Sequence, residues 1–247
     1  IMTKNNKFQI IAEIASNWNG SETLGKKIIK QASKSGADYV KFQMWRASDL
    51  YETTHPNWNE IKKSEMTSNT AKKFKKYSDS LGINCIWSVF YPEAVKLLEN
   101  LDVSLYKIAS RTSALMDSNS LETLKAIAKT KKPVIISMGF GGDKKLMDSI
   151  FRYNKKYYLY CVSNYPTKLS EINFKSMQTF AGFSDHTEDY LAPLIYATQC
   201  VNSNKKRFYE KHVCVDESIG PDKPFSIDMN DFKELISNIR QVESLKT

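Results

Sequence analysis

Nowhere in the 247 residues does an uncharged apolar run approach the ~18 residues that cross a bilayer. The apolar stretch Phe8–Ile14 is short and is interrupted by Glu13, so no membrane partner is expected. The N-terminal end also lacks the pattern of a secretory signal, and Ile1, ahead of Met2, is set aside from the fold reasoning. Only four cysteines occur, Cys85, Cys161, Cys200 and Cys214, and none lies in a C-x-x-C pair. A reduced, cytoplasmic protein is the expectation. No glycine-rich fingerprint follows any strand-like run, which argues against an open dinucleotide-binding sheet. The net charge of +9 comes from lysines scattered over helix faces such as Lys72–Lys76 and Lys129–Lys132. No arginine-rich or aromatic-interleaved stripe accompanies them, so nucleic acid is not an expected partner. A positive field still helps to collect a small anionic substrate.

What the chain does have is alternation. Short apolar runs at Phe8–Ile14, Asp38–Gln43, Asn84–Val89, Leu105–Ala109, Val134–Met138, Tyr157–Val162, Ala181–Ser184 and Arg207–His212 read as strands. Amphipathic stretches lie between them, among them Leu24–Ser35, Thr70–Leu81, Pro92–Asn100, Leu121–Thr130 and Asp143–Tyr153. Gly36 and Gly82 fall where helices end in a left-handed residue, and Pro133 follows a helix as a stop. The last segment, Asp228–Leu245, sets Phe232, Leu235, Ile236, Ile239 and Val242 on one face. Eight strand–helix units predict a parallel sheet closed into a (β/α)8 TIM barrel, an α/β fold in one domain over residues 1–247. Residues 45–67 read as a polar insertion loop after the second strand, long enough to be functional.

Active sites of such barrels lie at the C-terminal ends of the strands. Polar residues gather there: Glu13, then Lys41 and Gln43, Ser88, Lys107 with Ser110, Ser137, Ser163 with Tyr165, Ser184 with His186, and Glu210 with His212. A lysine in a barrel can simply pair with Glu13 or Glu210, and a serine can satisfy backbone groups. Their joint presence at one rim points further. Lysines and hydroxyls suit a phosphate and a carboxylate. Two imidazoles, each following a polar residue on the same strand face (Ser184, Glu210), suit a borderline divalent metal that polarises a carbonyl.

These residues also carry a family resemblance. IIAEIASNWNG (10–20), GADYVKFQ (36–43), SLYKIAS (104–110), KPVIISMG (132–139), CVSNYPT (161–167), GFSDHT (182–187), YEKHV (209–213) and GPD (220–222) resemble, in order, the motifs of the sialic acid synthases. That family condenses phosphoenolpyruvate with an N-acylated amino sugar such as N-acetylmannosamine, giving a nine-carbon 2-keto acid and phosphate. The resemblance implies that His186 and His212 hold a divalent metal, typically manganese with magnesium or cobalt as alternatives, which would bind the sugar aldehyde. It implies that Lys41, Lys107, Ser110, Ser163 and Ser184 hold phosphoenolpyruvate. Glu13, Gln43, Tyr165 and Asp222 would meet the sugar or metal-bound water, with Asn57 a further sugar contact. Glu13 or Glu210 would handle protons, as C3 of phosphoenolpyruvate attacks the aldehyde and phosphate leaves by C–O cleavage.

The chain departs from the family at several points. Trp18 stands where a histidine is common, Val89 where a threonine follows the strand-three serine, and Thr112 near the place of an acidic residue. The resemblance runs out after the eighth helix-like segment, so the family's small antifreeze-like C-terminal domain is not expected within these 247 residues. The sugar site is therefore expected to be completed by the 45–67 loop, by a partner subunit of a homodimer or by a separately encoded capping partner. A synthase for legionaminic- or pseudaminic-type acids, and a barrel kept for binding alone, are the competing expectations.

Overall fold

Alternation of side chains along each strand explains how this barrel builds a site. The computed structural model describes residues 8–203 and 205–245, so Ile1 lies outside it. Eight parallel strands run in sequence order: β1 (Phe8–Glu13), β2 (Tyr39–Met44), β3 (Asn84–Val89), β4 (Tyr106–Ile108), β5 (Val134–Ser137), β6 (Lys156–Cys161), β7 (Gly182–Asp185) and β8 (Arg207–Cys214). Pairing of β1 with β8 closes the ring, as the alternating sequence predicts. A two-residue strand, β9 (Ile227–Asp228), pairs with the end of β8. No helix among the described residues is long and apolar enough to cross a membrane.

The barrel interior has two storeys. At the bottom Ile11, Tyr39, Ile86, Leu105, Ile135, Leu159 and Phe208 pack into one buried cluster. Two residues further along each strand, side chains return to the same face. Those positions are Glu13, Lys41, Ser88, Lys107, Ser137, Cys161 and Glu210. The apolar plug therefore serves as the floor of a polar layer. Strand register holds that layer together, setting Glu13 beside both Lys41 and His212, Ser88 beside Lys107, and Ser184 beside Glu210.

The outer faces of the strands supply the main core against the helices, with Ile10, Val40, Phe42, Trp87, Ile108, Phe183 and Tyr209 buried there. Each such side chain contributes about 1.5–3 kcal/mol by leaving water. The helices start and stop on local signals. Ser21 caps Glu22–Ser35 by accepting from the Leu24 amide, and Gly36, at φ 91°, ends it. Thr67 caps Ser68–Ser80, and Asp228 caps Met229–Ser244 by accepting from two amides.

Segment 45–67 is more ordered than a polar loop. It folds into the short helices Ala47–Leu50 and Trp58–Lys63. Trp45, Ala47 and Ile61 bury against Phe90 from the loop after β3. Its scattered polar residues conceal that small apolar cluster, which is why the sequence reads as a loop.

Candidate active site

In the polar layer, carboxylates and ammonium groups alternate. Lys41 Nζ contacts the Glu13 carboxylate, lies 3.7 Å from Glu210 Oε2 and donates to Ser88 Oγ at 3.0 Å. Lys107 Nζ lies 3.5 Å from Glu210 Oε1 and donates to Ser137 Oγ at 2.7 Å. Ser184 Oγ donates to Glu210 Oε1 at 2.8 Å. Glu13 Oε1 accepts from the Ala15 amide at 2.8 Å. The four charged side chains are nearly inaccessible to solvent, so unpaired charge would be costly.

Burial pushes the Lys41 ammonium down, to about 7, with Glu210 opposing the shift. Burial also disfavours charge on Glu210, but Lys107, Lys41 and the Ser184 hydroxyl more than offset it and hold that carboxyl below its ordinary range. The layer is thus a chain of Glu13, Lys41, Glu210 and Lys107 with no net formal charge. Its lysines are each held against a carboxylate and a serine hydroxyl.

His186 and His212 sit at the same end, with ring centroids 5.7 Å apart. His186 Nδ1 donates to the Val162 carbonyl at 2.8 Å, which places the ring proton there and leaves Nε2 with a lone pair. Burial disfavours an imidazolium at His186, yet the neighbouring Cys161 sulfur and that carbonyl raise its pKa. His212 is held well below the ordinary range by burial and by the nearby His186, Lys41, Lys211 and Lys107, each of which repels a second positive charge when protonated. His212 Nδ1 is buried without a hydrogen-bond partner. Two adjacent imidazoles, one with a free lone pair and one kept neutral with an unsatisfied ring nitrogen, fit a borderline divalent cation. Among the described residues no group of three or more His, Cys, Asp and Glu could hold a metal ion, so the two imidazoles stand as a pair.

Above this layer opens a cavity of about 410 Å³ lined by Gln43, Asn57, Ser110, Tyr165, His212 and Asp222, all expected from the sequence. The Tyr165 ring covers His186 at 4.3 Å and meets Phe225 at 4.9 Å. Asp222 accepts from the Ser16 amide at 3.0 Å and from its hydroxyl, while burial raises its pKa. Gln43 Oε1 accepts from Trp45 Nε1 at 2.9 Å. Asn57 begins Trp58–Lys63, but its side chain makes no capping bond. Ser110 Oγ accepts from the Gly139 amide at 3.0 Å, and a side chain at Gly139 would run into Ser163, Cys161 and Ser110. Gly139 thus lets three strand ends converge.

Several residues of the cavity were missed in the sequence. Trp45, Leu50, Phe90 and Phe225 form apolar wall, and His55 and Arg111 line it too. Arg111 is oriented by a fork to Asp117, Nε to Oδ2 at 2.9 Å and Nη2 to Oδ1. Its place after Ser110 in the strand-four loop was the available signal. Another surface cavity, about 460 Å³, is lined by Lys27, Lys34, Glu217, Asp228 and Lys233, and none of the predicted site residues reaches it.

Comparison with known proteins agrees with the fold. A model described as the NeuB family matches residues 28–247. Pseudaminic acid synthase from Campylobacter jejuni is 31% identical over 265 residues, spanning 96% of this chain and 74% of that protein. N,N'-diacetyllegionaminic acid synthase from Legionella pneumophila is 30% identical over 270 residues, spanning 96% and 72%. The crystal structure of N-acetylneuraminic acid (sialic acid) synthetase from Leptospira borgpetersenii aligns with a TM-score of 0.86 at 25% identity, covering 97% of this chain and 85% of that one.

Proposed function

Because the chain belongs to the NeuB family of sugar-acid synthases, we propose that it condenses phosphoenolpyruvate with an N-acylated amino sugar to give a nine-carbon 2-keto acid and phosphate. The observation that carries this reading is the adjacency of a buried lysine–serine layer to a pair of imidazoles at the mouth of one barrel. Lys41 and Lys107 bind the carboxylate and phosphate, with Ser110, Ser163 and Ser184 supplying hydroxyl donors beside them. Ser88 orients Lys41, and Ser137 orients Lys107. Fixed donors of this kind, in a layer closed to water, supply the electrostatic stabilisation that usually dominates such catalysis.

His186 and His212 would hold a divalent cation, manganese first, which when bound supplies Lewis-acid polarisation of the acceptor aldehyde. Glu210, between the two lysines, is positioned to exchange a proton with substrate as their charge is taken up by the anion. Glu13 does the same from the other side of Lys41. Gln43, Asn57, Tyr165 and Asp222 face the sugar across the cavity. The four cysteines are buried and not joined by disulfides, which supports a reducing cytoplasmic setting.

The acceptor has a second candidate. Trp45, Leu50, Phe90 and Phe225 give the sugar cavity an apolar wall, which suits a deoxygenated, doubly N-acylated hexose better than a fully hydroxylated one. Such an acceptor leads to legionaminic- or pseudaminic-type acids. Phosphate release from phosphoenolpyruvate with Mn²⁺ tests both readings, assayed with N-acetylmannosamine and with diacetamido-trideoxyhexoses. Release with either acceptor supports the reaction, and the better acceptor decides between the readings. Release with none of them refutes the proposal.

A further inference from the structure

Behind the histidine pair, on the outer faces of β7 and β8, lies a second buried polar cluster that lines neither of the cavities described above. Asp185 accepts four hydrogen bonds: from the Thr187 amide at 2.8 Å, the Thr187 hydroxyl at 2.7 Å, the Tyr209 hydroxyl at 2.7 Å and Lys211 Nζ at 3.0 Å. Lys211 Nζ also donates to the Thr187 carbonyl. The side chains of Asp185 and Lys211 are 0% and 2% exposed. Side-chain alternation turns them away from Ser184, His186, Glu210 and His212 and into the layer between sheet and helices. Elsewhere that layer is filled by residues such as Phe183, Phe42 and Ile108.

A buried ion pair there adds little to stability, because desolvation consumes most of the Coulombic gain and an apolar pair of similar volume often holds the fold as well. Its geometry suggests a different use. Asp185 bridges from the residue before His186 to the residue after it, and Lys211, which directly precedes His212, reaches that same Thr187. The backbone on both sides of one histidine is thereby tied to the residue next to the other.

We propose that Asp185 and Lys211 are positioning residues that set the separation of the His186 and His212 rings for a shared divalent cation. This rests on the metal reading above. The clamp lies outside the barrel while the anion site lies within it, so its loss separates metal binding from anion binding. Metal ligands are oriented by neighbours of this sort, whose removal costs about 10- to 100-fold in metal affinity.

The test is the paired apolar replacement, Asp185→Leu with Lys211→Met, which removes the clamp without leaving a buried charge unpaired. Titration of the ligand-free protein with Mn²⁺ is expected to show at least a tenfold weaker Kd, while the Kd for phosphoenolpyruvate measured without metal stays within twofold. The histidine ring NMR signals of the metal-free protein are expected to shift as well. An unchanged Mn²⁺ Kd in the folded double variant overturns the proposal. So does an equal loss of Mn²⁺ and phosphoenolpyruvate affinity, the outcome of a merely structural role. If the double variant does not fold, Tyr209→Phe removes one of the four bonds, and a measurable loss of Mn²⁺ affinity supports the clamp while no change overturns it. His212→Ala is the control: should Mn²⁺ affinity survive it, the metal reading itself fails, and the clamp with it.

Discussion

Ser184 Oγ donates a 2.8 Å hydrogen bond to Glu210 Oε1 and so ties the strand that leads to His186 to the strand that carries His212. The same carboxylate lies 3.5 Å from Lys107 and 3.7 Å from Lys41. Glu210 is the point at which the two buried lysines meet the strand that carries His212.

Replacing Glu210 by Gln keeps the shape and removes the charge. Lys41 and Lys107 then lose a shared counter-ion and, at a pH low enough to keep Lys41 charged, bind an anion at least as well as before. The expected result is a kcat lower by about 100-fold or more, the range for loss of a general acid–base group, with the KM for phosphoenolpyruvate unchanged or reduced. Steady-state phosphate release measures both quantities.

Lys107→Met should act in the opposite way. It removes the ammonium held by Ser137 while keeping most of the side-chain volume. A hydrogen bond to a charged group is worth ~1.5–3 kcal/mol, so phosphoenolpyruvate affinity is expected to fall about 10- to 100-fold. An effect confined to the sugar's apparent affinity would contradict the assignment, and direct calorimetric titration distinguishes the two.

Anion binding should take up a proton in mildly alkaline solution. Burial holds Lys41 near 7, so above that pH the unliganded side chain is largely neutral, and an anion recruits the charged form. Affinity for phosphoenolpyruvate is then expected to fall as pH rises, by at most tenfold per unit, because one proton is coupled to binding. Calorimetry at pH 8 in buffers of different ionisation enthalpy reads the proton directly. In Lys41→Met the uptake should vanish.

Gly139→Ala is expected to abolish phosphoenolpyruvate binding while leaving the barrel folded. The added methyl would meet Ser163, Cys161 and Ser110, all at the mouth rather than in the floor of the barrel. Circular dichroism together with a binding titration checks both halves of that statement.

Much of this was legible in the sequence because a barrel obeys two simple periods. Residues two apart share a face, so Glu13, Lys41, Ser88 and Lys107 could be read as one polar rim; the apolar floor of Ile11, Ile86 and Leu105 beneath them is what the structure adds. Gly36 marked the end of its helix for the same local reason that the structure shows, a left-handed residue. Less was readable where no period operates. The short helices in 45–67 are nucleated by tertiary burial of Trp45 and Ile61 against Phe90, contacts distant in sequence. Asp185 and Lys211 did carry a signal: their phase placed charge on the strand faces that should be apolar, and that mismatch marks the clamp.

The most direct test of the account is the product of a reaction run with phosphoenolpyruvate labelled with ¹⁸O at the bridging oxygen. The protein would be supplied with Mn²⁺ and an N-acylated amino sugar that supports phosphate release. The expected products are a nine-carbon 2-keto acid without the label and an equal amount of phosphate that carries it, the signature of C–O cleavage. Label retained in the sugar acid, or phosphate released with no new carbon–carbon bond, would contradict it.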